Sequence, residues 1–266
     1  MALADQPPQR TRGLLLALLL TALLAGCAST PEGGAEEEED QRDASDPFEP
    51  FNRTMYAFND SLDRTVARPV AVAYRDNVPR PVRTGVSNFL DNLTYPVVIV
   101  NTGLQGKFTE MLQDTGRFLI NTTVGVVGIF DPASRLGLEA GNEDMGQTLG
   151  VWGTPPGPYL VWPVYGPSTA RDTAGASADG YLLDPTASAV SLPERYAVYV
   201  MRGLDARVGL LDVDHMLEQE YDPYIAMREA YLQRREFLIR DGELPDTDDY
   251  WDDEWDDGEG EDEWDW

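Results

Sequence analysis

Histidine, lysine and cysteine each occur once in this 266-residue chain, as His215, Lys107 and Cys27. A single cysteine excludes an internal disulfide and a cysteine-rich metal centre. A single histidine argues against a multi-histidine zinc site and leaves one candidate imidazole for a Ser-His-Asp hydrolase. Basic charge is also scarce: 20 Lys and Arg stand against 47 Asp and Glu, a net charge of −27. That balance argues against nucleic acid as a partner, because phosphate binding needs a basic face. Apolar residues nevertheless make up 42% of the chain, enough for a folded core.

The acid is concentrated at two places. Residues 241–266 hold 15 acids and no Lys or Arg, and residues 28–50 hold nine acids and one Arg. Residues 51–240 are close to neutral by comparison, with 22 acids and 17 bases. The middle therefore reads as an ordinary domain between two acidic, disordered flanks.

The first 27 residues read as an address. Arg10 and Arg12 precede an apolar run from Leu14 to Leu24 broken only by Thr21. That run is too short to span a bilayer core of ~30 Å, and it fits the h-region of a secretory signal peptide. It ends in Leu24-Ala25-Gly26-Cys27, a lipobox, which resembles bacterial lipoproteins. The resemblance implies that residues 1–26 are cleaved and that Cys27 carries the acyl chains; two or three chains anchor stably where one does not. Ala28 is compatible with sorting to the outer membrane. Residues 27–45, with Glu36 to Asp40 at their centre, read as an acidic tether that cannot bury a core.

Four Asp-Pro pairs punctuate the middle: Asp46-Pro47, Asp131-Pro132, Asp184-Pro185 and Asp222-Pro223. Asp caps free N–H groups and Pro suits the first helical position. After Asp46, Phe48, Phe51, Met55, Phe58 and Leu62 recur at helical spacing; after Asp222, Tyr224, Met227, Tyr231, Arg235 and Leu238 do the same, closed by Asp241-Gly242. Core packing is the expectation for both stripes. Asn92–Gly106 and Phe118–Phe130 carry no charge and are separated by a link bearing Lys107, Glu110, Asp114 and Arg117. Each run is too short to cross a membrane. Two readings stay open for them, buried core helices or helices lying in the plane of one leaflet. Residues 153–158 hold three Pro and two Gly, which forbid a helix and predict an irregular hairpin or loop. Trp152, Tyr159, Trp162 and Tyr165 around it read as exposed aromatics that would suit a membrane interface or a protein contact, with ordinary loop packing as the alternative.

Taken in order, several strings resemble the MlaA, or VacJ-like, lipoprotein family. They are Asp46-Pro47-Phe48-Glu49-Pro50-Phe51-Asn52-Arg53-Thr54-Met55-Tyr56, Arg68-Pro69-Val70-Ala71, Gly85-Val86-Ser87-Asn88-Phe89, Gly146-Gln147-Thr148-Leu149-Gly150, Gly157-Pro158-Tyr159, and Asp222-Pro223-Tyr224 with Arg228-Glu229-Ala230-Tyr231. They span residues 46–242. The resemblance implies a mainly α fold, a ring-like helical domain embedded in one membrane leaflet with a Gly/Pro-rich irregular hairpin. It implies an outer-membrane lipoprotein, lipid-anchored on the periplasmic side. Its function would be a passive channel that removes mislocalised phospholipids from the outer leaflet and passes them to a periplasmic lipid-carrier protein, beside an outer-membrane porin trimer. No catalytic residue, metal or cofactor is implied. A structural, porin-associated lipoprotein without transport is the alternative, and a phospholipase using His215 is the enzymatic rival, although no Gly-x-Ser-x-Gly elbow is present.

The two uncharged segments are expected to form the membrane-embedded wall, with Asn88, Asn92, Asn101, Asn121 and Thr122 as candidate channel-lining groups. Asn at caps and turns is the alternative for each. The tail, residues 243–266, carries Trp251, Trp255, Trp264 and Trp266 among its acids. It reads as solvated and disordered, or as a segment that docks on a basic partner such as the lipid carrier.

Overall fold

The structure is a computed structural model and describes residues 46–243 apart from 215, 217 and 218. The leader 1–26, Cys27, the tether 27–45, His215 and the acidic tail beyond Glu243 lie outside the described residues.

The described chain is mainly helical. Helix α1 (Glu49–Leu62) passes through a π turn, Asp63–Ala67, into α2 (Arg68–Asn77). Helices α3 (Arg80–Leu104) and α4 (Phe108–Thr123) pack on each other, followed by the short α5 (Pro132–Arg135) and α6 (Met145–Val151). Strands β1 (Tyr159–Trp162) and β2 (Gly166–Thr169) form an antiparallel hairpin with Tyr159 opposite Thr169 and Trp162 opposite Gly166. Then come α7 (Ala170–Ala178), a second π turn (Asp179–Leu183), α8 (Thr186–Ala189), α9 (Leu192–Leu210) and α10 (Pro223–Ile239). No helix among the described residues is long and apolar enough to cross a membrane.

Local chemistry sets the helix starts. Pro occupies the first turn of α1, α2, α3, α5, α9 and α10, where its missing N–H costs nothing. Asp131, Asp144, Thr169 and Asp222 accept the free N–H groups of α5, α6, α7 and α10, and Ser191 with Glu194 closes a capping box on α9. Asp46 departs from the Asp-Pro pattern. The cap residue of α1 is Phe48, and the buried Asp46 carboxylate instead accepts from Asn52 Nδ2 (2.8 Å) and the Tyr224 hydroxyl. Its lone pairs join α1 to α10 rather than finishing a helix end.

The apolar core is small. Tyr159, Val161 and Tyr224 are buried together, with Met55, Tyr56, Tyr231 and Leu232 packed around them. The α10 stripe is thus core packing, as its spacing suggests. The α1 stripe divides: Met55 packs on this core, but Phe48, Phe51 and Phe58 are exposed, and the buried residue of α1 is Asn52. Tyr159 also differs from its expectation as an exposed loop aromatic, being 1% exposed, while Trp152, Trp162 and Tyr165 are exposed.

Helix α4 shows the same inversion. Asp114, Arg117 and Asn121, spaced three and four apart, are buried, and Phe108, Leu112 and Leu119 are exposed. Of the charges expected to form a link between the two uncharged runs, Asp114 and Arg117 therefore lie within a helix and point inward, while Glu110 on the same helix is exposed. Across the described residues more large apolar side chains are exposed than buried, and the buried set is mostly polar. A water-soluble domain sorts its residues the other way.

Candidate functional site

The polar interior is not solid. A cavity of about 1330 Å³, open to its surroundings, is walled by α3, α4, the 131–144 segment, the hairpin, α7, α9 and α10. Pockets for small molecules usually hold ~300–1,000 Å³, so this one exceeds that range. Seven acids and three arginines line it, together with Asn, Ser, Thr and Tyr side chains and a few aliphatic ones.

Two networks of ion pairs hold the wall. Arg235 on α10 donates to Asp144 at the start of α6 (2.6 and 2.9 Å) and to Asp172 on α7 (3.0 Å twice). The Tyr231 hydroxyl adds a bond to Asp172 at 2.7 Å. Burial raises both carboxyls, but the hydrogen bonds and charge of Arg235, together with bonds from Gln147 to Asp144 and from Tyr231 to Asp172, outweigh it and hold Asp144 and Asp172 below the usual carboxylate range. On the other side, Arg117 donates to the Tyr95 hydroxyl (2.6 Å), Ser134 Oγ (3.1 Å), Asp131 (3.0 Å) and the Leu138 carbonyl. Every nitrogen of both guanidiniums is engaged, which suits a rigid wall.

Glycine lets these elements meet. A Cβ on Gly175 of α7 would lie 2.3 Å from the Gly146 nitrogen of α6, so the two helices touch backbone to backbone. Near the other end, Gly128 has φ +86°, and a Cβ there would lie 2.4 Å from Asn92 Cβ. The segment around it also holds Val126 and Val127 at φ 55° and 58°, costly for β-branched residues. Val124, Val126, Val127 and Phe130 stand exposed on it.

The five candidate residues divide. Asn88 and Asn121 are in the cavity wall. Asn121 is also tied to Asp131 Oδ1 (3.0 Å) and the Ala133 N–H (3.1 Å), and Asn88 donates to the Ile129 carbonyl (3.1 Å). Asn92 and Thr122 bond each other at 2.9 Å between α3 and α4. Asn101 is fully buried; it donates to the Val97 carbonyl and Asp179 and accepts from the Thr148 hydroxyl. The charged wall residues Asp91, Arg117, Asp144, Asp172, Arg202 and Arg235 were not among the candidates. One signal was present for Arg235, a charged residue within an otherwise apolar stripe.

This architecture can be set beside known proteins. A family model described as MlaA lipoprotein matches residues 44–238. The chain belongs to the MlaA lipoprotein family. Among MlaA relatives, the intermembrane phospholipid transport system lipoprotein MlaA of Escherichia coli is 44% identical over 228 residues, covering 84% of this chain and 87% of that protein. The Haemophilus influenzae protein of the same name is 34% identical over 244 residues, covering 90% and 94%. A solved structure, described as the structural basis for maintenance of bacterial outer membrane lipid asymmetry, superposes with a TM-score of 0.68 at 41% identity. It covers 73% of this chain and 99% of the other.

Proposed function

We propose that this MlaA-family chain is an outer-membrane lipoprotein that gives phospholipids a passive route out of the outer leaflet. The observation that carries the reading is the pairing of a large cavity, whose wall mixes charged and polar groups with apolar surface, with an apolar outer surface. A headgroup crossing hydrocarbon loses water without gaining a partner, which is costly; a polar wall supplies partners along the way. The exposed apolar residues of α1, α4 and the 124–130 segment match acyl chains rather than water. The helical build meets the demand that backbone groups in lipid satisfy one another. The names of the relatives and of the solved structure support the same reading.

In this reading residues 1–26 are the signal peptide, and acylated Cys27 anchors the chain on the periplasmic side through the 27–45 tether. Residues 46–242 form the transport domain. A porin trimer holds it in the outer membrane, and a periplasmic carrier receives the lipid, with the 243–266 tail as a contact for it. No bond is made or broken, so no catalytic group is needed and His215→Ala leaves clearance unchanged. Direction comes from the carrier, because a passive route only speeds equilibration.

The test is outer-leaflet phospholipid in a deletion strain complemented with wild-type or Cys27→Ser protein. Accumulation on deletion, reversed by the wild type and not by Cys27→Ser, is the expected result. Porin binding without any change in outer-leaflet phospholipid would instead establish the scaffold alternative.

A further inference from the structure

The three arginines of the cavity wall are not equivalent. Arg117 and Arg235 have every guanidinium nitrogen engaged in the two wall networks. Arg202 on α9 is not: its closest paired oxygen, Asp184 Oδ2, is 3.7 Å from Nη1, beyond a hydrogen bond. Its Nε and Nη2 are buried without a hydrogen-bond partner. Asp184 is itself engaged: its Oδ1 accepts from the Thr186 N–H (2.8 Å) and hydroxyl (2.7 Å), and its Oδ2 from the Tyr199 hydroxyl (3.4 Å). A partly buried guanidinium with idle donors is an energetic cost unless something else takes them up.

A matching idle anion lies close by. Ser87 of α3 donates to Asp205 of α9 at 2.7 Å and pins the two helices together. One helical turn from this pin, α3 presents Asp91 and α9 presents Arg202, and both are in the cavity wall. Among the described residues no hydrogen bond or ion pair engages Asp91. Asp91 is exposed to the cavity, yet desolvation by the surrounding protein and the nearby Asp205 charge raise its carboxyl above the usual range, and Arg202 only partly offsets them. Asp91 and Arg202 thus feel each other electrostatically without being in contact.

We infer that Arg202 and Asp91 form a headgroup station in the cavity, in which the guanidinium takes a phosphodiester and the carboxylate takes a primary ammonium. The fork of a guanidinium matches two non-bridging phosphate oxygens. A zwitterionic ethanolamine headgroup carries both charges a short distance apart and can bridge the pair. An anionic glycerol headgroup satisfies Arg202 but leaves Asp91 unpaired, within a wall of seven acids and three arginines. The station rests on the phospholipid-passage reading and adds headgroup preference to it.

The experiment uses full-length lipidated protein in nanodiscs with equal phosphatidylethanolamine and phosphatidylglycerol. Retained lipid is quantified by mass spectrometry, alongside clearance in the deletion strain. Wild type is expected to retain phosphatidylethanolamine in excess. Arg202→Gln should lower total retention about tenfold, the loss of a charged hydrogen-bond pair. Arg202→Lys should recover part of it, and Asp91→Asn should abolish the excess while keeping phosphatidylglycerol. Melting curves confirm that each variant is folded. Glycerophosphoethanolamine should compete, whereas inorganic phosphate should not; equal competition would reassign the site to free phosphate and overturn the headgroup station. Variants that retain lipid in wild-type amount and ratio, with wild-type clearance, would overturn the station and leave the passage reading intact. A wild type that neither retains nor clears lipid would overturn both.

Discussion

Asn52 on α1 acts as a missing strand for Tyr159 on β1. Its Nδ2 donates to the Tyr159 carbonyl at 3.0 Å, 107 residues away, and its Oδ1 accepts from the Val161 N–H at 2.9 Å. Two helical turns later Asn59 repeats the arrangement, donating to the Trp162 carbonyl (2.9 Å) and accepting from the Val164 N–H (2.7 Å). The edge of a two-stranded hairpin is thereby closed by side chains, which satisfies backbone groups that would otherwise be stranded.

Asn52→Ala should therefore be costly for its size. It removes both of these bonds and the one to Asp46, leaving buried partners unpaired. The expected destabilisation is about 2–4 kcal/mol. Thermal melting in detergent checks it, and a change below about 0.5 kcal/mol would contradict the strand-like role.

Asn101→Leu and Asn88→Leu should part company. Asn101 is fully buried with three side-chain partnerships across α3, α6 and the second π turn, so its loss should lower stability by about 2–3 kcal/mol. Asn88 has one exposed bond and lies in the cavity wall, so its substitution should reduce lipid clearance with little change in melting. Equal melting shifts for the two would mean that both are structural.

Gly128→Ala and Gly137→Ala separate steric contact from backbone conformation. Both glycines have positive φ, but a Cβ at Gly137 meets nothing within 4 Å while one at Gly128 collides with Asn92. Gly137→Ala should cost about 1–2 kcal/mol, and Gly128→Ala clearly more. Similar melting temperatures would show that the 124–130 segment relaxes freely.

Stability should rise on mild acidification and then fall. Burial raises the carboxyls of Asp114 and Asp179, despite hydrogen bonds from Gly141 and Thr102 to the first and from Met145 and Asn101 to the second. Their charged forms burden the fold at neutral pH, and the burden lifts as pH drops through their raised pKa values toward ~4. Asp144 and Asp172 have lowered values, so their stabilisation is present above ~4 and is lost only as pH falls through those lower values. Asp114→Asn should flatten the first limb. A melting temperature that declines steadily from pH 7 to 4 would contradict this.

Phe108 and Leu112 should act as membrane contacts independent of the acyl anchor. They are 64% and 67% exposed on one face of α4. In a Cys27→Ser background, which removes the proposed acylation site, replacing both with Ser should weaken vesicle partitioning on the order of a hundredfold to a thousandfold, at about 2 kcal/mol per side chain. Flotation with phosphatidylethanolamine vesicles measures it, and unchanged flotation would place the membrane face elsewhere.

The sequence by itself determined the helical character, the starts of α5 and α10 at Asp131-Pro132 and Asp222-Pro223, the irregular hairpin after Gly153, and the family. These rest on local preferences or on ordered strings of residues, which survive without coordinates. It did not determine which way the helices face. Periodicity marks the apolar side of α1 and α4 but is silent on whether that side meets a core or a lipid phase. Only the tertiary structure decided that Asn52, Asp114 and Arg117 turn inward and Phe51, Phe108 and Leu112 outward. It alone brought Arg235 to Asp144, 91 positions apart, and left Arg202 with idle donors in the cavity wall. Such pairings depend on how helices distant in the chain pack, and no local preference encodes them.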